Sequence, residues 1–287
     1  MNAGSRHSEL PPVAHTPLAR HTAAHHPLIK HTRGFVRGFR ANLELATLLA
    51  FVAGIVNTVG YLEFGTYVSH ISGHATRTAV EYTEGNTAAA LVFFLEVVAF
   101  ILGAMVTAIL LHGHTASDRR QKASLPIVME AGLILLFILV DQNDGLGQWV
   151  QFDHISLTTL ILAHAMGMQN ALLRHASGAI IRTTHMTGIA TDIGVAMGTA
   201  IHAARIHHLH RKQSSTSSWL GVLENFWVKL GAHRFAFHCL LLFGFFLGAV
   251  VGTIGYIYIM SGILSVPVVI LLVLALQEHG RKVKLNG

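Results

Sequence analysis

Hydrophobic runs long enough to cross a bilayer alternate with short polar segments along most of the chain. A spanning helix needs about 20 mostly apolar residues. Leu43–Leu62, Thr87–Leu111, Leu125–Val140, Ile155–Leu173, Phe235–Ile259 and Gly262–Leu276 have that character. The pattern therefore predicts six transmembrane helices and an all-α integral membrane fold. Two further stretches, Thr66–Glu84 and Ser177–His202, are too polar for ordinary lipid-facing spans. They are expected to be short re-entrant or half-helix elements.

Those two stretches carry the same phrase. His70-Ile-Ser72-Gly73-His74-Ala-Thr76 and His185-Met-Thr187-Gly188-Ile189-Ala-Thr191 both read His-apolar-hydroxyl-Gly-x-Ala-Thr. Each follows a hydrophobic segment ending in Gly-x-x-Asn, at Gly54–Asn57 and Gly167–Asn170. The repetition extends further. Phe100-Ile-Leu-Gly103-Ala-Met-Val matches Phe245-Phe-Leu-Gly248-Ala-Val-Val, and Ser124-Leu-Pro126-Ile-Val matches Ser265-Val-Pro267-Val-Val. Four landmarks in the same order point to duplication. With three crossings per half, the two copies are expected to be inverted, as in many secondary transporters.

Composition agrees with a membrane location. Of 287 residues, 52% are hydrophobic and 12% charged, against about 25% charged in soluble domains. Mean hydropathy is +0.52. Loop charge sets the expected orientation. His112–Ala123 holds Arg119, Arg120 and Lys122, and Ala203–Arg234 and the C-terminal 279–287 are also basic, whereas Asp141–His154 has no Lys or Arg. The positive-inside rule then places both termini in the cytoplasm and 141–154 outside. Residues 1–42, with six Lys/Arg, six His and one acid, read as a disordered cytoplasmic tail whose last part, Pro27 to Arg40, could rest on anionic lipid. The expected organisation is therefore a tail (1–42), a first repeat (43–140), an external loop (141–154), a second repeat (155–278, with the basic loop 203–234) and a short C-terminal tail. The single Cys239 rules out a disulfide within one chain.

The phrases set the candidate chemistry. Arg77 and Arg182 flank them, and a guanidinium keeps its charge and grips carboxylate or phosphate in a bidentate fork. Asn57, His70, Ser72, Gly73, Asn170, His185, Thr187 and Gly188 complete the expected substrate-binding set. Ionisable residues at membrane depth are costly and mark ion or proton pathways. Glu96, His164 and Asp192 are the proton-coupling candidates, as a Glu96/His164 or an Asp192/His185 pair. A structural reading, in which these groups only cap and glue helices, stands beside the functional one. Gly248-x-x-x-Gly252 reads as a packing face within the chain or a homo-oligomer seam.

Ala53–Thr76 and Gly167–Gly198, with their Gly-x-x-Asn and [Ser/Thr]-His-x-[Ser/Thr]-Gly elements, resemble the YoaK-like bacterial inner-membrane proteins over roughly residues 43–278. That resemblance implies a multi-pass fold in the inner membrane and assigns no activity. His74 stands where the family pattern usually has Asn, and Asn57 where it often has Asp. The expected function is a secondary transporter or permease for a small polar, anionic solute, with proton linkage. No enzyme activity, cofactor, metal or nucleic-acid partner is expected; the partners are the solute and membrane lipid. The alternatives are a non-transporting scaffold or sensor and an intramembrane metal-dependent enzyme.

Overall fold

The computed structural model describes residues 28–112, 123–142, 151–152, 155–156, 158–176, 186–211 and 232–285. The chain divides into two units, Met1–Phe39 and Arg40–Gly287, and the packing below is that of the second. Apart from one two-residue antiparallel pairing, Gln151–Phe152 with Ile155–Ser156, the described residues outside turns are helical. The helices are α1 Leu28–Phe64, α2 Ile71–Thr83, α3 Thr87–Leu111, α4 Ser124–Asp141, α5 Thr159–Ala176, α6 Met186–Arg211, α7 Ala232–Ile259 and α8 Ser265–Leu285. A 3-10 segment, Met260–Leu264, joins α7 to α8.

Four stretches are long and apolar enough to cross a membrane: Leu43–Phe64, Thr87–Leu111, Ser124–Asp141 and the 45-residue run Phe235–His279. The last holds two helices. Met260 takes a positive φ of 51°, and the Ile263 side chain closes on Gly255, so the run breaks and turns there. α5 is not among the four, because its 18 residues include His164, Gln169, Asn170 and Arg174.

Two expectations are corrected. Residues 28–42 of the N-terminal region are helical and continue into the first span; Pro27 stands just before the helix, where a missing N–H costs nothing. The two phrase segments also differ in kind. α2 has 13 residues, about 20 Å at the helical rise, well short of the roughly 30 Å hydrocarbon core. α6 runs unbroken for 26 residues. Its glycines do not interrupt it; Gly194 and Gly198 meet no neighbour.

Backbone crossings at glycine fix the packing. Close van der Waals approach at small residues brings these apolar helices together. On α1 and α7, Gly54 lies against Phe245 and Ala249, Gly248 against Phe51, and Gly252 against Ile55; Thr58 Oγ1 donates to the Ala249 carbonyl at 3.4 Å. The contacting positions advance together along both helices, so α1 and α7 run in the same direction. The same set recurs on α3 and α5: Gly103 against His164 and Met168, Gly167 against Phe100, and Thr107 Oγ1 donating to Met168 O at 3.2 Å. Phe51 and Gly54 match His164 and Gly167, and Phe100 and Gly103 match Phe245 and Gly248. Each half thus lends its Phe-x-x-Gly helix to the Gly-x-x-Asn helix of the other.

The C-terminal ends of α1, α4 and α7 meet. Phe64 packs edge-on against Phe137 with ring centroids 5.9 Å apart. The Tyr256 hydroxyl donates to Glu63 Oε2, and Gly262 lies beside the Gln142 amide. Leu49, Ile55, Ile127, Ile134, Phe137, Leu162 and Met166 fill the interior among these helices. Gln169 Nε2 donates to Leu49 O at 2.8 Å and ties α5 to α1.

Candidate functional site

The link from α1 to α2 is built around Asn57. Its Nδ2 donates to Ala53 O at 2.8 Å, one turn back on its own helix. Its Oδ1 accepts from Ser69 N at 3.1 Å and from Ser69 Oγ at 2.9 Å. The connecting loop folds over Gly60, where a Cβ would press on Val68, and Tyr61 stacks on Tyr67 at 4.7 Å. Asn57 therefore holds the start of α2 to the end of α1.

His70 is the N-cap residue of α2 and makes no side-chain capping bond. Its ring folds back over the first turn, which only Gly73 allows: a Cβ there would lie 2.5 Å from His70 Nδ1. His70 Nε2 shares a hydrogen bond with Ser72 Oγ at 3.2 Å, and Thr76 Oγ1 donates to Ser72 O at 2.9 Å. His70, Ser72 and Thr76 all remain exposed.

Beyond Thr83 the chain turns at Gly85, with φ +89°, and Asn86 Nδ2 donates to Glu81 Oε2 at 3.1 Å across the turn. α2 thereby lies antiparallel along α3. This brings His74 Nδ1 within 2.5 Å of Glu96 Oε2, with side chains 2% and 0% exposed. The other ring nitrogen, His74 Nε2, is 3.0 Å from Tyr67 O, and Phe93 stacks on the imidazole at 6.1 Å. One turn along, the Arg77 guanidinium sits 4.4 Å over the opposite flank of this region, on the Phe93 ring, with Glu81 Oε1 at 3.3 Å. Arg77 is half exposed, so it is a charge at the edge of the buried pair.

The second phrase segment and the helix before it make some of the same bonds, with different chemistry around them. Asn170 Nδ2 donates to Met166 O at 2.8 Å, as Asn57 does to Ala53. Thr191 Oγ1 donates to Thr187 O at 2.8 Å, as Thr76 does to Ser72. Asp192 Oδ2 lies 3.7 Å from His238 Nε2; these positions match Arg77 and Phe93. His74 and Glu96 match Ile189 and Leu241, both buried in the apolar core. Thr187 is exposed and Gly188 half-buried at the start of α6. Arg182 and His185 lie outside the described residues.

The structure thus brings Asn57 to the loop before α2 and gathers His70, Ser72 and Gly73 at its first turn. It sets Arg77 on the outer edge of α2. It does not bring Asn57 and Arg77 together. The expected Glu96/His164 pair does not form, and His185 of the expected Asp192/His185 pair lies outside the described residues. Glu96 pairs with His74 rather than His164, because the tight turn at Gly85 fixes α2 against α3 in that register. His164 instead crosses α3 with its backbone on Gly103 and its ring hydrogen-bonded to the backbone of Ala99. Asp192 faces His238 of α7. His74 is the residue that sequence reasoning left without a role; the signal was its place as the one ionisable insertion in the phrase, opposite Ile189.

Comparison with curated proteins returned no match, and comparison with solved structures returned none. Comparison with protein families matches residues 45–277 to the family described as protein of unknown function (DUF1275), a range inside the 43–278 over which the resemblance was drawn. The matched range takes in α2 to α7 whole, the C-terminal part of α1 from residue 45 and most of α8, so the chain belongs to that family.

Proposed function

We propose that the chain is a secondary transporter of the bacterial inner membrane for a small polar, anionic solute, with proton linkage. Its two halves are inverted repeats, and six helices cross with both termini in the cytoplasm. The observation that carries this reading is the meeting of the C-terminal ends of α1, α4 and α7. If these three run outward, then alternation sends α3, α5 and α8 inward, which agrees with the parallel glycine crossings of α1 with α7 and α3 with α5. An eight-crossing path, with α2 and α6 also spanning, would point α4 opposite to α1. In the six-crossing path each helix of one half matches a helix of opposite direction in the other. Such pairing of inverted halves suits alternating access.

The unequal chemistry of the halves supports a functional site. A buried His–Glu pair occupies one half where the other has Ile and Leu, and Arg77 stands beside it as the charge an anion would meet. A scaffold or sensor is the second reading; it draws on the hydrogen bonds of Asn57, Thr76 and Thr191, which are made within the chain. That reading predicts that deleting residues 1–42 abolishes the phenotype while Arg77→Ala and Arg182→Ala are tolerated.

Two measurements test the transporter. Protein reconstituted in liposomes should accumulate at least one member of a panel of radiolabelled inorganic and carboxylate anions, and faster under an inward proton gradient. Arg77→Ala with Arg182→Ala should reduce that uptake to the level of empty liposomes while the melting temperature is kept. Uptake at the wild-type rate in the double variant sinks the anion site. For topology, cysteines placed at Glu84 and His112 in a Cys239→Ser background should react with an impermeant maleimide from opposite faces of the membrane. Reaction of both from one face sinks the six-crossing path.

A further inference from the structure

α4 packs along α8, and the two helices carry matching Ser-x-Pro-x-Val starts at Ser124 and Ser265. Six residues into α4 is Glu130, which is 0% exposed. Among the described residues neither of its carboxyl oxygens has a hydrogen-bond partner. The matching position of α8 is Leu271, also fully buried. Packing at this seam is therefore met by an apolar side chain of similar size, and the carboxyl is not there to fill space. Nor does it glue helices, since it bonds to nothing.

A buried carboxylate without a counter-charge is strongly disfavoured, and such groups neutralise by binding a proton. Of the elements packed on α4, the span of α1 carries Glu44 and Glu63, α5 carries His164, Arg174 and His175, α8 carries Glu278, His279, Arg281, Lys282 and Lys284, and the 3-10 segment carries none. Among the described residues none of these groups is hydrogen-bonded to the Glu130 carboxyl.

The geometry points to Glu130 as a proton-binding site, holding its proton while the carboxyl is buried and releasing it when water reaches it. The step is a simple protonation: the carboxylate gains a proton from water on one side and returns it to water on the other. It rests on the transporter reading for its purpose, and not for its chemistry. It differs from the His74–Glu96 pair, which is already compensated by the imidazole.

The test uses the full chain in lipid bilayers. Infrared difference spectra between acid and alkaline pH should contain a carboxylic-acid C=O band that is lost on raising the pH and is missing from Glu130→Gln. Glu130→Leu, which copies Leu271, should lack the same band and melt at or above the wild-type temperature. Identical difference spectra for wild type and Glu130→Gln overturn the proposal. A band lost in Glu130→Gln, in a protein that moves none of the anions tested, keeps the proton site and sinks the transporter. Anion uptake with unchanged spectra does the reverse.

Discussion

Alanine at Gly54, Gly103, Gly167 or Gly248 is expected to keep the folded protein from accumulating, whereas alanine at Gly194 or Gly198 leaves it intact. At the first four positions a Cβ would overlap a carbonyl oxygen of the facing helix, those of Phe245, His164, Phe100 and Phe51 respectively. The obstacle is backbone, so no rotamer change relieves it and one helix must withdraw along its whole crossing. Overpacking typically costs 1–3 kcal/mol; a backbone-to-backbone clash belongs at about 3 kcal/mol or above. Gly194 and Gly198 meet no atom within 4 Å, and there alanine gains up to about 0.5–1 kcal/mol of helix propensity. The measurement is the monodisperse peak and melting temperature of each variant in mild detergent. A normal peak for Gly248→Ala and Gly167→Ala would mean that these crossings are not as close as described.

The second large effect concerns the buried pair of α2 and α3. His74→Ala or Glu96→Ala alone should destabilise by about 3–5 kcal/mol, the usual result of leaving one buried charge without its partner. The double change His74→Ile with Glu96→Leu installs the residues found at the matching positions of the other half, Ile189 and Leu241. It should recover most of that loss, because replacing a buried ion pair with apolar side chains is often neutral or stabilising. A double-mutant cycle on melting temperature reads the coupling directly. Additive losses would mean that the two side chains do not interact. Recovery of stability together with loss of anion uptake would assign the pair to function, since the second half does without it.

Much of the framework was legible because it depends on local composition. The apolar runs predicted α3, α4, α5 and α7 to within a few residues and lie within or over most of α1 and α8, which extend further at their polar ends; the fifth and sixth runs were separated although only Met260–Leu264 divides them. The Gly-x-x-Asn and Phe-x-Leu-Gly landmarks marked the helices that cross most closely. Residues 28–42 were expected within a tail whose last part could rest on lipid; Leu28, Ile29, Phe35, Val36 and Phe39 recur there at helical spacing, a signal that basic and histidine-rich surroundings outweighed. α6 was expected to be a short re-entrant or half-helix element because its stretch is too polar for a lipid-facing span; its 26 residues are helical throughout, as glycine lowers helix stability without forbidding it.

The candidate site was legible by residue type and not by partner. Glu96 and Asp192 stood out as charges in an oily chain, but their partners, His74 and His238, came from the register between neighbouring helices. Glu130 was visible as an acid inside the third run, and its isolation was not visible at all. A one-dimensional pattern reports how apolar each segment is, and that alone marked most of the helices and their compatibility with a membrane. Which side chains meet depends on turn geometry at Gly85 and backbone approach at four glycines. Those are distances between segments far apart in sequence, so the buried His74–Glu96 contact, the different lengths of α2 and α6 and the unpartnered Glu130 were decided only by the tertiary structure.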